Sequence, residues 1–234
     1  MPNQRSILVR TALTAAALVL LSILVLDGPL ALTFSSVPDG AKKAISEGVR
    51  ACEWLFGFRV SPYLYGGLLV LAGIAAKAWK HGTVGSSLVF IGLSHVTARF
   101  VTGVMKPPFS RLRPYEALAD STWHDTWFAA VGNSFPSGHA VHFWGLFFPL
   151  VVLFPKFWMP LAVLPVLISV ARVVANDHYL SDVIASVAVA ALITLAYSKM
   201  VLARGQAALV HEKATSLKQG LDVAQTHRGH PRRS

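Results

Sequence analysis

Phe135-Pro136-Ser137-Gly138-His139 stands where a polar loop ends and the apolar run 140–154 begins. A Pro-Ser-Gly sequence before such a run is typical of the start of a helix. Main-chain N–H groups are unpaired at a helix N-terminus, and together with the helix dipole they can bind an anion. This stretch therefore predicts an anion-binding helix start, with the imidazole of His139 beside the anion.

The composition places this helix in a membrane. The chain has 234 residues, of which 54% are hydrophobic and only 14% are charged, and this balance is too apolar for an ordinary soluble domain. A formal net charge of +10 would suit a nucleic acid, but the sequence lacks a basic stripe with interleaved aromatic residues. We therefore expect a lipid bilayer, and no nucleic acid, as the partner of these charges. The single cysteine, Cys52, cannot form an intrachain disulfide and does not indicate a redox compartment.

Apolar runs long enough to cross a bilayer recur along the chain. They predict an all-α polytopic membrane protein, a bundle of six transmembrane helices that forms one domain over residues 1–202. The predicted spans are about 8–28, 60–79, 84–104, 139–154, 158–175 and 183–202. Residues 203–234 are polar and basic, which predicts a disordered cytoplasmic tail. The first run resembles a signal peptide, but Asp27-Gly28-Pro29 is a poor cleavage site, and we expect the run to remain as a span.

One more helix is predicted between the first two spans, over about 39–57. Ile45, Val49, Cys52 and Phe56 recur there at helical spacing, opposite charged residues. An amphipathic helix of this kind can lie in the membrane interface. A helix outside the membrane that packs on the bundle fits the pattern equally well, and the sequence leaves the two alternatives open.

The loops favour an orientation with both termini in the cytoplasm. The connection 77–81, the turn around Lys156 and the C-terminal tail are basic, as cytoplasmic segments usually are, although several lysines and arginines on the other side weaken the assignment. An even number of spans also places three polar stretches, 106–114, 137–139 and 172–182, on the same side of the membrane. We therefore expect these three stretches to converge.

The first two stretches offer donors to an anion. In 106–114, two prolines are predicted to stop the third span at the interface, and the lysine and arginines around them suit phosphate oxygens. Cations that reach lipid headgroups would give the same pattern. The second stretch adds the hydroxyl and N–H of Ser137, the N–H of Gly138, and His139 as a general acid or base. A plain capped helix is the alternative for this second stretch.

The third stretch contains Arg172, His178 and Asp182. If His178 begins a helix, the four-residue spacing places it on one face with Asp182, whose carboxylate can then accept the Nδ1–H bond and leave the other nitrogen as a nucleophile. A metal site is the alternative, because His139 and His142 could complete a ligand set with this pair. The neighbouring cations would repel a divalent ion, which disfavours this alternative.

Three motifs stand in the chain in this order: Lys106-x6-Arg113-Pro114, Pro136-Ser137-Gly138-His139 and Arg172-x5-His178-x3-Asp182. Together they resemble the signature motifs of the type-2 phosphatidic acid phosphatase family, which includes lipid phosphatases and vanadium haloperoxidases. The resemblance covers the chain from about the second span to the sixth. The family usually has Ser directly before the third-motif arginine, and Ala171 stands there instead. This departure puts one supporting hydrogen bond to the phosphate in doubt.

The resemblance implies a metal-independent phosphatase with no cofactor. The residues that would bind the phosphoryl oxygens are Lys106, Arg113, Ser137, Gly138 and Arg172. His178, oriented by Asp182, would attack phosphorus and form a phosphohistidine, while His139 would protonate the leaving oxygen and then activate water.

Relatives of this kind act on undecaprenyl diphosphate, lipid A, phosphatidylglycerophosphate or phosphatidic acid. The resemblance therefore implies a membrane lipid phosphate as substrate, in a bacterial inner membrane with the site facing the periplasm. A membrane anion transporter and a catalytically inactive lipid-phosphate binder remain as alternatives. The oligomeric state is left open.

Overall fold

The computed structural model describes residues 4–119, 127–129 and 131–198, and over these ranges it contains helices and no strand, which confirms the predicted all-α class. The α-helices are α1 (Gln4–Leu21), α2 (Asp27–Ser35), α3 (Asp39–Leu55), α4 (Leu64–Ala78), α5 (Gly82–Phe109), α6 (Pro114–Ala119), α7 (Gly138–Leu153), α8 (Trp158–Val174) and α9 (Leu180–Ser198). A π-helical turn, Ser22–Leu26, joins α1 to α2, and a 3₁₀ turn, Pro155–Phe157, precedes α8. The predicted tail 203–234 and the end of the predicted sixth span lie outside the described residues.

The helices have the length and composition of membrane spans. Within the described ranges, four stretches are long and apolar enough to cross a bilayer: Ser6–Ser35, Gly82–Ala119, Pro155–Val174 and Leu180–Ser198. Helices α4 and α7 are shorter apolar helices, and they lie where the second and fourth spans are predicted. Many large apolar side chains on these helices are exposed, as expected of surfaces that face lipid. The protein is therefore a multi-pass membrane protein, and six crossings remain a prediction.

Helical structure extends past the predicted ends of the first and third spans. The first helical stretch runs through Asp27-Gly28-Pro29 without a break, since the π-helical turn Ser22–Leu26 leads directly into α2. Pro107 and Pro108 lie inside α5 and do not stop it, contrary to the expectation from the sequence. The helix ends one residue later, where Ser110 adopts a left-handed conformation and its N–H donates to the carbonyl of Lys106.

Helix α5 packs against α4 on one side and α7 on the other, and α7 packs against α8. Glycines allow the closest approach between α4 and α5. A Cβ atom on Gly92 would lie 2.5 Å from the carbonyl oxygen of Gly66, and one on Gly73 would lie 2.7 Å from that of Gly85. Small residues at such crossings are a common way to bring membrane helices together. This close packing fixes the position of α5, which carries Lys106 and packs against α7, the helix that carries His139.

Helix α3 is the amphipathic helix that the sequence predicts. Its buried residue Val49 packs in an apolar cluster with Phe143 of α7 and Ile168 of α8. Near the other side of the helix, Trp54 and Leu55 remain 61% and 68% exposed. The structure thus shows that α3 packs on the bundle, and its position in the membrane interface stays a prediction.

Candidate active site

His178 and Asp182 form a buried pair at the junction of α8 and α9. The Nδ1 atom of His178 lies 3.3 Å from Oδ2 of Asp182, and both side chains are almost completely enclosed. The same carboxylate oxygen accepts the main-chain N–H of Tyr179 at 2.9 Å. Nε2 of His178 has no hydrogen-bond partner within the described part of the chain. A carboxylate on Nδ1 favours the tautomer whose lone pair is on Nε2, and this is the form that a nucleophile requires.

The turn that carries His178 is held by the main chain. The carbonyl oxygen of Arg172 accepts the N–H groups of Asp177 and His178 at 3.1 and 3.2 Å, and Asn176 adopts a positive φ of 63° that closes the turn. Burial lowers the pKa of His178 to about 3, and the hydrogen bond and charge of Asp182 offset this only partly. The imidazole is therefore neutral at pH 7.

Arg111 holds the other oxygen of Asp182. Its Nη1 donates to Oδ1 of Asp182 at 2.8 Å and to Ser181 at 2.6 Å, while its Nη2 donates to Asp27 at 2.8 Å. The guanidinium lies 3.7 Å from the centroid of the Tyr179 ring, and its side chain has no exposed surface. Arg111 is one of the arginines of the first basic stretch, 106–114, and the sequence predicts no partner for it. Asp27 is considered at that stage only as part of a poor cleavage site. A charged residue next to an apolar span is the signal that could have drawn attention to Asp27.

Ser134 and Glu53 also contact predicted site residues, Asp182 and His139, and the sequence did not predict either contact. The hydroxyl of Ser134 donates to Oδ2 of Asp182 at 2.5 Å. Glu53 of α3 places Oε1 2.5 Å from Nε2 of His139. Neither residue belongs to a motif quoted from the sequence, and Glu53 is 86 residues away from its partner along the chain. No local pattern indicates a contact of that separation.

The start of α7 is joined to the start of α9. The N–H of Ser137, which the sequence suggests as an anion donor, donates instead to the carbonyl oxygen of Asp182 at 3.1 Å. The Ser137 oxygen caps α7 by accepting the N–H of Ala140 at 3.4 Å. The N–H of Gly138 has no partner in the part of the chain that the structure describes, while its carbonyl accepts from Arg99 at 2.6 Å. The donors left for an anion are thus the Gly138 N–H and the Ser137 hydroxyl.

The three predicted phosphate-binding cations lie near one another. The charges of Arg113, Arg172 and Asp182 all act on the ammonium of Lys106, and those of Arg113 and Arg172 also act on His178. Lys106 donates to the carbonyl of Asn133 at 2.7 Å, which is a neutral partner. Of these three cations, only Arg172 forms an ion pair within the described residues, with Asp177 at 3.0 Å. The cluster therefore carries net positive charge, which suits a phosphate dianion.

Contacts elsewhere in the bundle bear on two questions that the sequence raises: the replacement of the family serine by Ala171, and the alternative metal site. Ala171 packs against the apolar cluster around Val49. Ser169, the nearest serine before it, cannot replace the family serine, because its hydroxyl donates to the carbonyl of Pro165 and accepts the indole N–H of Trp144. The proposed metal ligand His142 uses both ring nitrogens, one with His95 at 2.9 Å and one with the carbonyl of Phe56 at 3.2 Å. The four side chains suggested as a ligand set therefore do not form one.

The helical fold and its lipid-facing surface define a polytopic membrane protein, and the buried His–Asp pair beside a cation cluster is its candidate phosphate site. The sequence profile of the PAP2 superfamily matches residues 87–206, which is just over half of the chain. The chain therefore belongs to the PAP2 superfamily, and it is a phosphatase of that type.

Two curated relatives and one solved structure are similar to this chain. A lipid A 1-phosphatase of Rhizobium johnstonii is 26% identical over 188 residues, which cover 76% of this chain and 74% of the relative. A lipid A 1-phosphatase of Rhizobium etli is 27% identical over 183 residues, which cover 73% and 75%. A PAP2-type phosphatidylglycerolphosphate phosphatase from Bacillus subtilis matches in structure with a TM-score of 0.43 and 21% identity, over 80% of this chain and 94% of the other.

Proposed function

We propose that the protein hydrolyses the phosphate of a membrane lipid through a phosphohistidine on His178. The observation that carries the proposal is the neutral, fully buried imidazole of His178. Asp182 holds its Nδ1, and its Nε2 is left without a partner in the described residues, within the field of Arg113 and Arg172. A nucleophile, a supporting carboxylate and an anion-binding charge in one place are the parts that a phosphoryl transfer requires.

The reaction divides into two displacements. In the first, Nε2 of His178 forms a bond to phosphorus while the bond to the lipid oxygen breaks, and His139 gives that oxygen a proton. In the second, His139 takes a proton from water as the water oxygen attacks phosphorus, and the electron pair of the P–N bond returns to Nε2. Lys106, Arg113 and Arg172 bind the phosphoryl oxygens throughout and stabilise the charge of both transition states.

The same cations support a reaction without a metal ion. Divalent ions stabilise the charge on the phosphoryl oxygens in many phosphatases. In this proposal the guanidinium groups of Arg113 and Arg172 and the ammonium of Lys106 stabilise that charge instead. We therefore expect activity to persist in EDTA.

Lipid A is the first substrate to test, because both curated relatives are named lipid A 1-phosphatases. The residues that we assign to phosphate binding would contact the phosphoryl group and not the lipid. Undecaprenyl diphosphate, phosphatidylglycerophosphate and phosphatidic acid therefore belong in the same assay. We also propose that the protein lies in a bacterial inner membrane with its site on the periplasmic side and both termini in the cytoplasm. A reporter fused after Ser234 tests this orientation, and a reporter found outside would contradict it.

The deciding experiment offers the four lipids together to the purified protein in detergent with EDTA and measures release of inorganic phosphate and loss of each lipid. Release from at least one lipid, with lipid A preferred, is the expected result. Binding of a lipid phosphate without release of phosphate would indicate an inactive binder. Movement of an intact anion across vesicles by a protein that releases no phosphate would indicate a transporter.

A further inference from the structure

Glu53 is a buried carboxylate that the proposed reaction does not yet use. It is 4% exposed, and its two oxygens have different partners: Oε1 lies 2.5 Å from Nε2 of His139, and Oε2 lies 2.5 Å from Nε of Arg59. Burial raises the pKa of Glu53, but the hydrogen bond and charge of His139 and the charge of Arg59 outweigh this effect and lower it. Glu53 is therefore an anion held against the imidazole of His139.

The surroundings of His139 leave one nitrogen for chemistry. The ring of Phe58 lies against the imidazole, with 4.8 Å between ring centroids and an interplanar angle of 35°. Nε2 is occupied by Glu53, whereas Nδ1 has no hydrogen-bond partner within the described ranges. A carboxylate that accepts an N–H of imidazole fixes the tautomer and stabilises the protonated form, as the aspartate does in a catalytic triad.

We propose that Glu53 is a positioning residue for His139, and that it accepts the Nε2–H bond so that Nδ1 is the atom that transfers protons. This inference rests on the proposed function, because Glu53 acts only through His139. As the lipid P–O bond breaks, protonated His139 gives the Nδ1 proton to the leaving oxygen and becomes neutral, with Nε2–H still bonded to Glu53. As water attacks the phosphohistidine, Nδ1 takes a proton from that water, so His139 ends in its starting form.

Helix α3 places Glu53 for this task. Val49, one turn earlier on the same helix, is buried against α7 and α8, and this packing turns the same face of α3 toward the start of α7. Glu47 lies on the same helix but is exposed. It carries the same charge, and within the described residues no hydrogen bond or ion pair joins it to His139, so it is a matched control for Glu53.

The test compares two substrates in the Glu53→Gln and Glu47→Gln variants. A lipid alkoxide needs a proton to leave, whereas p-nitrophenolate does not. We expect Glu53→Gln to slow release of the lipid alcohol about 10- to 100-fold with KM unchanged. With p-nitrophenyl phosphate, the same variant should still give a fast, stoichiometric burst of p-nitrophenolate, followed by slow turnover because attack of water still needs His139. Glu47→Gln should match the wild type with both substrates.

A burst that slows as much as lipid turnover would mean that Glu53 has a merely structural role, and it would overturn the proposal. Unchanged or faster lipid turnover in Glu53→Gln would overturn it as well, since faster turnover means that Glu53 blocks the site. In a His139→Asn background, adding Glu53→Gln should cause no further loss, and an extra loss would show an effect that does not pass through His139. Failure of the proposed function looks different, because the wild type itself would then release no phosphate from either substrate.

Discussion

Arg111 joins two carboxylates that lie far apart in the sequence, Asp27 of α2 and Asp182 of α9. All three side chains are buried, and the guanidinium donates to both carboxylates at 2.8 Å. A buried charge is tolerated only where it is paired and hydrogen-bonded, and removing one member leaves the others uncompensated. Arg111 therefore stabilises the protein and also sets the position of the carboxylate that holds His178.

We predict that Arg111→Met is strongly destabilising. Two buried carboxylates would lose their common partner, and the free energy of unfolding should fall by about 3–5 kcal/mol. Thermal unfolding in detergent measures this effect as a large drop in Tm. Arg50→Met, at an exposed position on α3, is the control and should change stability by no more than about 0.5 kcal/mol. An unchanged Tm in Arg111→Met would contradict the buried network.

The lowered pKa of His178 predicts how stability depends on pH. An unfolded histidine has a pKa of about 6.5, whereas burial lowers that of His178 to about 3, so between these values the unfolded chain binds a proton that the folded chain does not. His178 therefore makes the protein less stable as the pH falls from about 6.5 toward 3. The measurement is Tm at a series of pH values in wild type and His178→Gln, and the decline should be shallower in the variant. Parallel declines would contradict the neutral, buried imidazole.

At the residue scale, spacing in the sequence predicts only local partners. His178 and Asp182 are four residues apart, so their contact follows from helical geometry. The two acidic partners of Arg111 are 71 and 84 residues away, and His139 is 86 residues away from Glu53. Such contacts depend on how the helices pack, and this information is not present in any single stretch of the chain.

At the scale of elements, hydrophobic periodicity predicts that α3 exists but not what it packs against. The predicted range 39–57 and the observed Asp39–Leu55 agree closely. The first span differs more, because the π-helical turn Ser22–Leu26 joins α1 to α2 where the sequence predicts the span to end soon after Asp27. A π-helical turn of this kind depends on packing and carries no clear pattern in composition.

We predict that loosening α3 lowers activity through His139. Val49→Ala removes buried apolar atoms from the contact with Phe143 and Ile168, at a cost of about 1–2 kcal/mol. Because α3 carries Glu53, turnover of a lipid phosphate should fall along with Tm. Leu55→Ala, at a position 68% exposed on the same helix, should change neither quantity appreciably. Full activity in Val49→Ala together with a lowered Tm would show that the packing of α3 against α7 and α8 does not affect the reaction.

At the scale of the whole molecule, the proposed site combines side chains from helices throughout the described part of the chain. α5 contributes Lys106, α7 begins at Gly138 and carries His139, α8 ends near Arg172, and α9 begins next to His178. The sequence predicts this convergence from one topological argument, an even number of spans between the stretches. It could not predict the ion pairs that hold the stretches together, because those involve α2 and α3, which lie outside the motifs.

If phosphate passes through His178 during the reaction, a trapping experiment should find it there. The His139→Asn variant is mixed with p-nitrophenyl phosphate that carries labelled phosphate, because p-nitrophenolate leaves without a proton while attack of water still needs His139. The mixture contains detergent and EDTA, and it is quenched in base, where phosphohistidine is stable. We expect label on the peptide that contains His178, and neither label nor turnover in the His178→Asn variant. Turnover by His178→Asn at the wild-type rate, or label on a different residue, would contradict it.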